Sequence, residues 1–124
     1  MTINVKIVNL DKVKELLKTA SDDVKKNVDK GIKEAGFFIQ TEIQESIAGH
    51  RAEIRSFDTG RFASSIKATF PKQYVAIVGT DVDYAKFLEY GTSKIEPRSH
   101  FRNTVARNED KVKLYILKEI KTSL

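Results

Sequence analysis

The residues best placed to do chemistry in this chain are Asp58-Thr59-Gly60, the two histidines His50 and His100, and the cations and phenols between Tyr84 and Arg102. Asp-Thr-Gly is the active-site triplet of aspartic proteases, in which two carboxylates face one another and share a proton. That chemistry needs the aspartate at the end of an apolar strand. Here Arg55-Ser56-Phe57 precedes the triplet and Arg61 follows it, which sets a cation beside the supposed dyad. The residues suit a helix entry better, with Asp58 or Thr59 as the cap and Gly60 allowing the tight turn. Two histidines with no His-x-x-x-His spacing and no carboxylate cluster do not supply the three or four converging ligands of a metal site. His100 reads as a cap or surface residue at the start of a helix. Gly91-Thr92-Ser93-Lys94 has the residue types of a phosphate loop in the wrong order. The absence of cysteine excludes a disulfide framework, a thiolate zinc site and a cysteine nucleophile. One set remains: Arg98, His100, Arg102 and Tyr84 could grip RNA and move protons, as in a small basic toxin-like ribonuclease. Their spacing fixes no geometry, and Tyr84 and Phe101 serve equally as packing anchors. No cofactor is expected.

The elements that must position these residues follow from periodicity. Ile3, Val5 and Ile7 alternate with Asn4 and Lys6, the pattern of a half-buried strand over residues 3–8. Asn9 or Asp11 can cap a short helix carrying Val13, Leu16 and Leu17. Ser21 caps a longer one, with Asp22 and Asp23 in the first turn where the helix dipole favours negative charge. Val24, Val28, Ile32, Ala35, Ile39, Ile43 and Ile47 recur at helical spacing, so this helix spans 22–47. It would be ~40 Å long at ~1.5 Å per residue. Gly31 and Gly36 inside it fit either close packing or a bend. Residues 48–59 lose the periodicity and carry several charges, which predicts a long loop that is mobile until the protein is assembled. A helical turn over Phe62 to Ile66 follows, then strands at 67–70 and 74–79 joined by Pro71-Lys72-Gln73. Tyr84 to Tyr90 form a short amphipathic helix stopped by Gly91 in the left-handed conformation. Pro97 disfavours helical geometry at Glu96 and separates this helix from one starting near His100. Phe101, Val105, Val112, Ile116 and Ile120 mark that last helix, with a weak point at Asn108-Glu109-Asp110.

With 124 residues and 40% hydrophobic content, the chain is expected to be one domain, 1–124, around a single core. The expected fold is α+β: a small antiparallel sheet packed against the long central helix and the C-terminal helix. The N-terminus lacks a basic region followed by an apolar run, and no apolar segment nears the roughly 18 residues of a membrane span. A soluble chain made in the cytoplasm is expected. The net charge of +5 is spread along the helices among Asp and Glu, as for Lys12, Lys14 and Glu15, or Lys113, Lys118 and Glu119. Mixed signs at this spacing describe a solvated helix face. A modest polyanion surface near DNA is the other reading.

Tyr84, Phe87, Leu88 and Tyr90 cannot all point inward from two turns of helix, so one side must face another element or another chain. Aromatic residues and Arg near Tyr84–Phe101 suit an interface. Glu89 is either a partner for Arg61 or Arg98 at such a contact or a solvent-facing helix residue. The order Tyr84-Ala85-x-x-x-Glu89-Tyr90-Gly91-Thr92, then Pro97 and Phe101, follows Asp58-Thr59-Gly60-Arg61-x-x-x-Ser65-Ile66 at a characteristic separation. In both elements the chain resembles the small head–tail joining, or tail-completion, proteins of long-tailed bacteriophages and prophages. The resemblance implies a structural virion component without turnover chemistry. It would sit as a homo-oligomeric ring around the DNA passage, between head-completion or adaptor proteins and tail-tube or tail-terminator proteins. Carried over, the matching positions are Thr59, Gly60, Arg61, Ser65 and Ile66, then Tyr84, Ala85, Glu89, Gly91, Thr92, Pro97 and Phe101. The interface candidates are Thr59, Gly60, Arg61, Tyr84, Glu89, Tyr90, Gly91, Thr92, Pro97, Arg98 and Phe101. The family often has Pro-Gly chemistry before its Thr-Gly, whereas Arg51 to Phe57 here is charged and free of proline.

Overall fold

The computed structural model describes residues 3–9, 17–56 and 60–122. The long apolar repeat forms helix α1, Asp22–Ile47, and Ser21 caps it by accepting a hydrogen bond from the Val24 amide at 3.2 Å. Val28, Ile32, Ala35, Ile39, Ile43 and Ile47 are all buried, so the 3.6-residue period becomes the spine of the core. The short helix expected before α1 falls, apart from Leu17, outside the described residues.

Three strands, β1 (Ile3–Asn9), β2 (Lys67–Thr69) and β3 (Val75–Thr80), make an antiparallel sheet in the order β1-β3-β2. Ile3 pairs with Thr80 and Lys67 with Gly79, and the β1–β3 register shifts between Lys6 and Val8. The central strand β3 is covered on both faces, which explains its nearly continuous apolar sequence. Tyr74, which closes the β2–β3 connection, holds a positive φ of 65°, and its amide donates to Asp29 Oδ1 at 3.1 Å.

Four helices complete the described fold beyond α1: α2 (Arg61–Ser64), α3 (Ala85–Tyr90), α4 (His100–Arg107) and α5 (Glu109–Thr122). The expected weak point is a real break. Asn108 ends α4, its side-chain amide donates to the Thr104 carbonyl at 2.9 Å, and its own carbonyl accepts from Val112 in α5. The two glycines of α1 serve packing. A Cβ at Gly31 would lie 2.9 Å from the Ile116 Cα, and one at Gly36 would lie 3.0 Å from the Phe70 ring. Helix α1 is thereby wedged between α5 and the sheet. The mixed charges of α5 are not all solvated, because Glu119 is buried beside Lys30 at 3.7 Å.

Candidate functional site

The candidate residues gather around α3, the turn behind it and the start of α4. Gly91 ends α3 with φ 77° and ψ 174°. The positive φ matches expectation, but the ψ differs from the left-handed helical value. Gly91 lies in the extended region open essentially only to glycine. Tertiary packing requires this, since a Cβ there would sit 2.8 Å from the Ile95 carbonyl oxygen and from both the nitrogen and Cδ of Pro97. Thr92 Oγ1 accepts hydrogen bonds from the Lys94 and Ile95 amides, each at 3.1 Å, and the Thr92 amide donates to the Ile95 carbonyl. Pro97 then turns the chain so that the Arg98 amide donates to the Leu88 carbonyl at 2.7 Å.

Glu89 is neither solvent-facing nor paired with Arg61 or Arg98. It is 1% exposed, and its two oxygens accept from the amides of Phe101 and Arg102 at 2.9 Å each. These are first-turn amides of α4, which need acceptors that the helix cannot supply. Ser99, at the cap position with φ 50°, makes no side-chain capping bond, so a carboxylate from α3 acts in its place. Arg102 adds a 3.1 Å bond to the same oxygen, and its guanidinium stacks 4.6 Å from the Tyr90 ring centroid. Phe101 is buried in the core.

This inward anchorage leaves the other side of α3 bare. Ala85 and Glu89 are buried, whereas Tyr84, Phe87 and Tyr90 are 40%, 47% and 59% exposed. Tyr84 leans edge-on against the buried Phe62 of α2, with ring centroids 5.8 Å apart. Gly60 occupies the cap position of α2 with φ 83° and itself offers no side-chain capping bond. Arg61 is exposed at its start. Asp58 and Thr59, expected as caps, lie outside the described residues, as does the aspartic-protease triplet apart from Gly60.

His100 corrects the expectation of a cap or surface residue. It is 1% exposed, with Nδ1 2.8 Å from Ser46 Oγ and Nε2 2.7 Å from Ser56 Oγ. Its tautomer follows from its neighbours. Ser46 donates its proton to Glu53 Oε1 at 2.5 Å, so it must accept from Nδ1–H. Nε2 then accepts from Ser56, whose oxygen also accepts from Arg98 Nη1 at 2.9 Å. The result is a directed chain from the Arg98 guanidinium to the Glu53 carboxylate. Burial holds the His100 pKa below its ordinary value, against the opposing pull of Glu89 and Glu53 and with help from Arg98.

Glu53 anchors the other end. Burial alone would raise its pKa, but hydrogen bonds from Arg107, Ser46 and Asn103 outweigh burial and lower it to about 2. Arg107 reaches both Glu53 oxygens, at 2.9 and 3.0 Å. Segment 48–56 is therefore bound to the body of the fold rather than free of it. Arg51 pairs with Glu42 at 2.7 Å, His50 bonds Glu45, the Ser56 amide donates to the Ile47 carbonyl at 2.8 Å, and Arg98 donates to the Arg55 carbonyl. The loop reading missed this because the segment contributes buried polar groups instead of apolar ones. A carboxylate at Glu53 with Arg107 well down the chain carried no local signal of contact.

Among the described residues no cluster of His, Cys, Asp and Glu could hold a metal ion, and no helix is long and apolar enough to cross a membrane. No curated protein and no solved structure matches the chain. A family model described as "Bacteriophage HK97-gp10, putative tail-component" matches residues 11–91. That span takes in α1, the Thr59-Gly60-Arg61 element, the sheet strands β2 and β3 and the exposed face of α3, and it stops at Gly91, before Thr92, Pro97, Arg98 and Phe101. With more than half of its length matched, the chain belongs to the HK97-gp10-like family of bacteriophage tail components.

Proposed function

We propose that this protein is a head–tail joining, or tail-completion, component that acts through protein–protein contacts and without turnover. The observation that carries the reading is the bare aromatic face of α3, Tyr84, Phe87 and Tyr90, inside the span shared with the tail-component family. Large aromatic side chains exposed beside Arg102 have the composition of an interface centre. The partners proposed are head-completion or adaptor proteins on one side and tail-tube or tail-terminator proteins on the other. Copies of chain 1–124, each a single joining domain, would form a ring in the virion after assembly in the host cytoplasm. Gly60, Arg61, Gly91, Thr92, Pro97 and Arg98 shape the rim of that contact, with Thr59 assigned to it by resemblance. Modest positive charge suits proximity to DNA without sequence-specific binding. Phe87→Asp combined with Tyr90→Asp is expected to leave a folded protein and to let filled heads and free tails accumulate unjoined, as counted by electron microscopy. Normal yields of joined particles from that variant would overturn the proposal.

The ribonuclease reading has less support. Its proton-moving residue, His100, is buried with both ring nitrogens occupied by serines, and Arg102 is committed to Glu89. RNA cleavage by the purified protein that disappears in His100→Ala would reverse this preference.

A further inference from the structure

The outer face of α5 carries a second surface, separate from α3 and independent of the joining role. Val112 and Glu119 are buried on the inner side of this helix, yet Leu114 and Leu117 on its outer side are 62% and 49% exposed. Leu114 borders a shallow groove of about 320 Å³ between α1 and α5, lined also by Phe38, Tyr115, Lys111 and Lys118. The groove floor is aromatic, with the Phe38 and Tyr115 rings 5.3 Å apart. Its rim is cationic. The Lys111 ammonium lies 5.7 Å from the Phe38 ring, and among the described residues neither Lys111 nor Lys118 forms an ion pair with a carboxylate. The carboxylates nearest in sequence are engaged elsewhere, Glu109 with Lys113 at 3.8 Å and Glu119 with Lys30.

From this geometry we infer that the α1–α5 groove docks an acidic amphipathic helix of a different protein. An apolar floor with Leu114 at its edge accepts the apolar stripe of a helix. Lysines on the rim, of which Lys111 also acts on Glu42 of α1 through its charge, select Asp and Glu flanking that stripe, because opposite charges steer and orient docking. A self-paired second copy is a poor occupant, because a two-fold contact would bring Lys111 and Lys118 of both chains together on a chain already at +5. An anionic bilayer would meet the lysines but would leave the concave aromatic floor unfilled.

The test uses the full chain and two synthetic helical peptides with the same leucine stripe, one flanked by Glu and one by Lys. The Glu peptide is expected to bind, more weakly as salt rises, and the Lys peptide at least tenfold less tightly. Leu114→Asp and, separately, the pair Lys111→Glu with Lys118→Glu should each weaken the Glu peptide tenfold or more. The charge-reversed pair should shift preference toward the Lys peptide. Lys111 and Lys118 are exposed, so the lysine variant tests the idea even if the leucine variant folds poorly. Equal binding of both peptides, binding unaffected by the lysine pair, self-association abolished by Leu114→Asp, or capture by anionic phospholipid vesicles in place of the Glu peptide would each overturn it.

Discussion

The two regions that meet on α4 use buried carboxylates in opposite ways. At the α3–α4 junction, Glu89 spends both oxygens on backbone amides and so sets where α4 begins. In segment 48–56, Glu53 spends its oxygens on side chains, Ser46, Asn103 and Arg107, and so sets how a loop lies against helices already formed. The first arrangement is rigid because backbone groups have few alternatives once buried. The second depends on the protonation of Glu53 and His100, so it responds to pH. The junction is therefore probed by mutation, and the loop by mutation and by pH.

Gly91→Val should break the junction most severely. The residue would have to adopt a conformation essentially reserved for glycine, with its Cβ at 2.8 Å from the backbone of the following turn. A loss of about 4 kcal/mol or more is expected in urea unfolding, and unchanged melting would show that the turn can relax. Glu89→Ala comes next. It strands two first-turn amides of α4 and the Arg102 guanidinium, at an expected cost of about 3 kcal/mol. Glu89→Gln should recover little of that, because its amide nitrogen cannot accept from a backbone N–H. Full stability of the Gln variant would mean that α4 needs only one of the two bonds.

The loop should show the converse profile. Glu53 has its pKa depressed to about 2 in the fold, so its contribution is present above about pH 4.5 and is lost as pH falls toward 2. That difference corresponds to about 3 kcal/mol at neutral pH. His100, whose pKa is also depressed, adds stability that is full above its ordinary value near 6.5 and declines as pH falls below it. Stability measured against pH should thus decline in two stages. Glu53→Gln should remove the lower stage and His100→Asn the upper, and a curve that keeps both stages in both variants would refute the assignment. The smallest effect on stability is expected outside both regions. Phe87→Ala, on the exposed side of α3, should shift unfolding by about 0.5 kcal/mol or less while impairing particle joining. A larger destabilisation would make Phe87 a packing residue and weaken the contrast between the two sides of the helix.

Much of the scaffold was legible before the structure. The extent of α1, its Ser21 cap, the three-stranded antiparallel sheet, the break at Asn108 and the positive φ at Gly91 all follow from local spacing or from residue type. So does the division of α3 into two sides, since four large side chains on two turns cannot share one core. The site was legible only as a neighbourhood. Glu89, Glu53, His100 and Glu119 resemble solvated residues in the sequence and are all buried.

What the sequence determined by itself is therefore the set of apolar surfaces and the points where the chain must turn, because periodicity and backbone sterics act within a few residues. Only the tertiary structure decided which polar groups go inside. Their burial is tolerated only where partners converge, and those partners come from far along the chain: His100 and Ser46 are 54 positions apart, as are Arg107 and Glu53. A carboxylate that will cap another helix and one that will face water have the same local sequence signature. The difference between them is the desolvation penalty, which is set by packing and offset by hydrogen bonds that exist only after the helices have met.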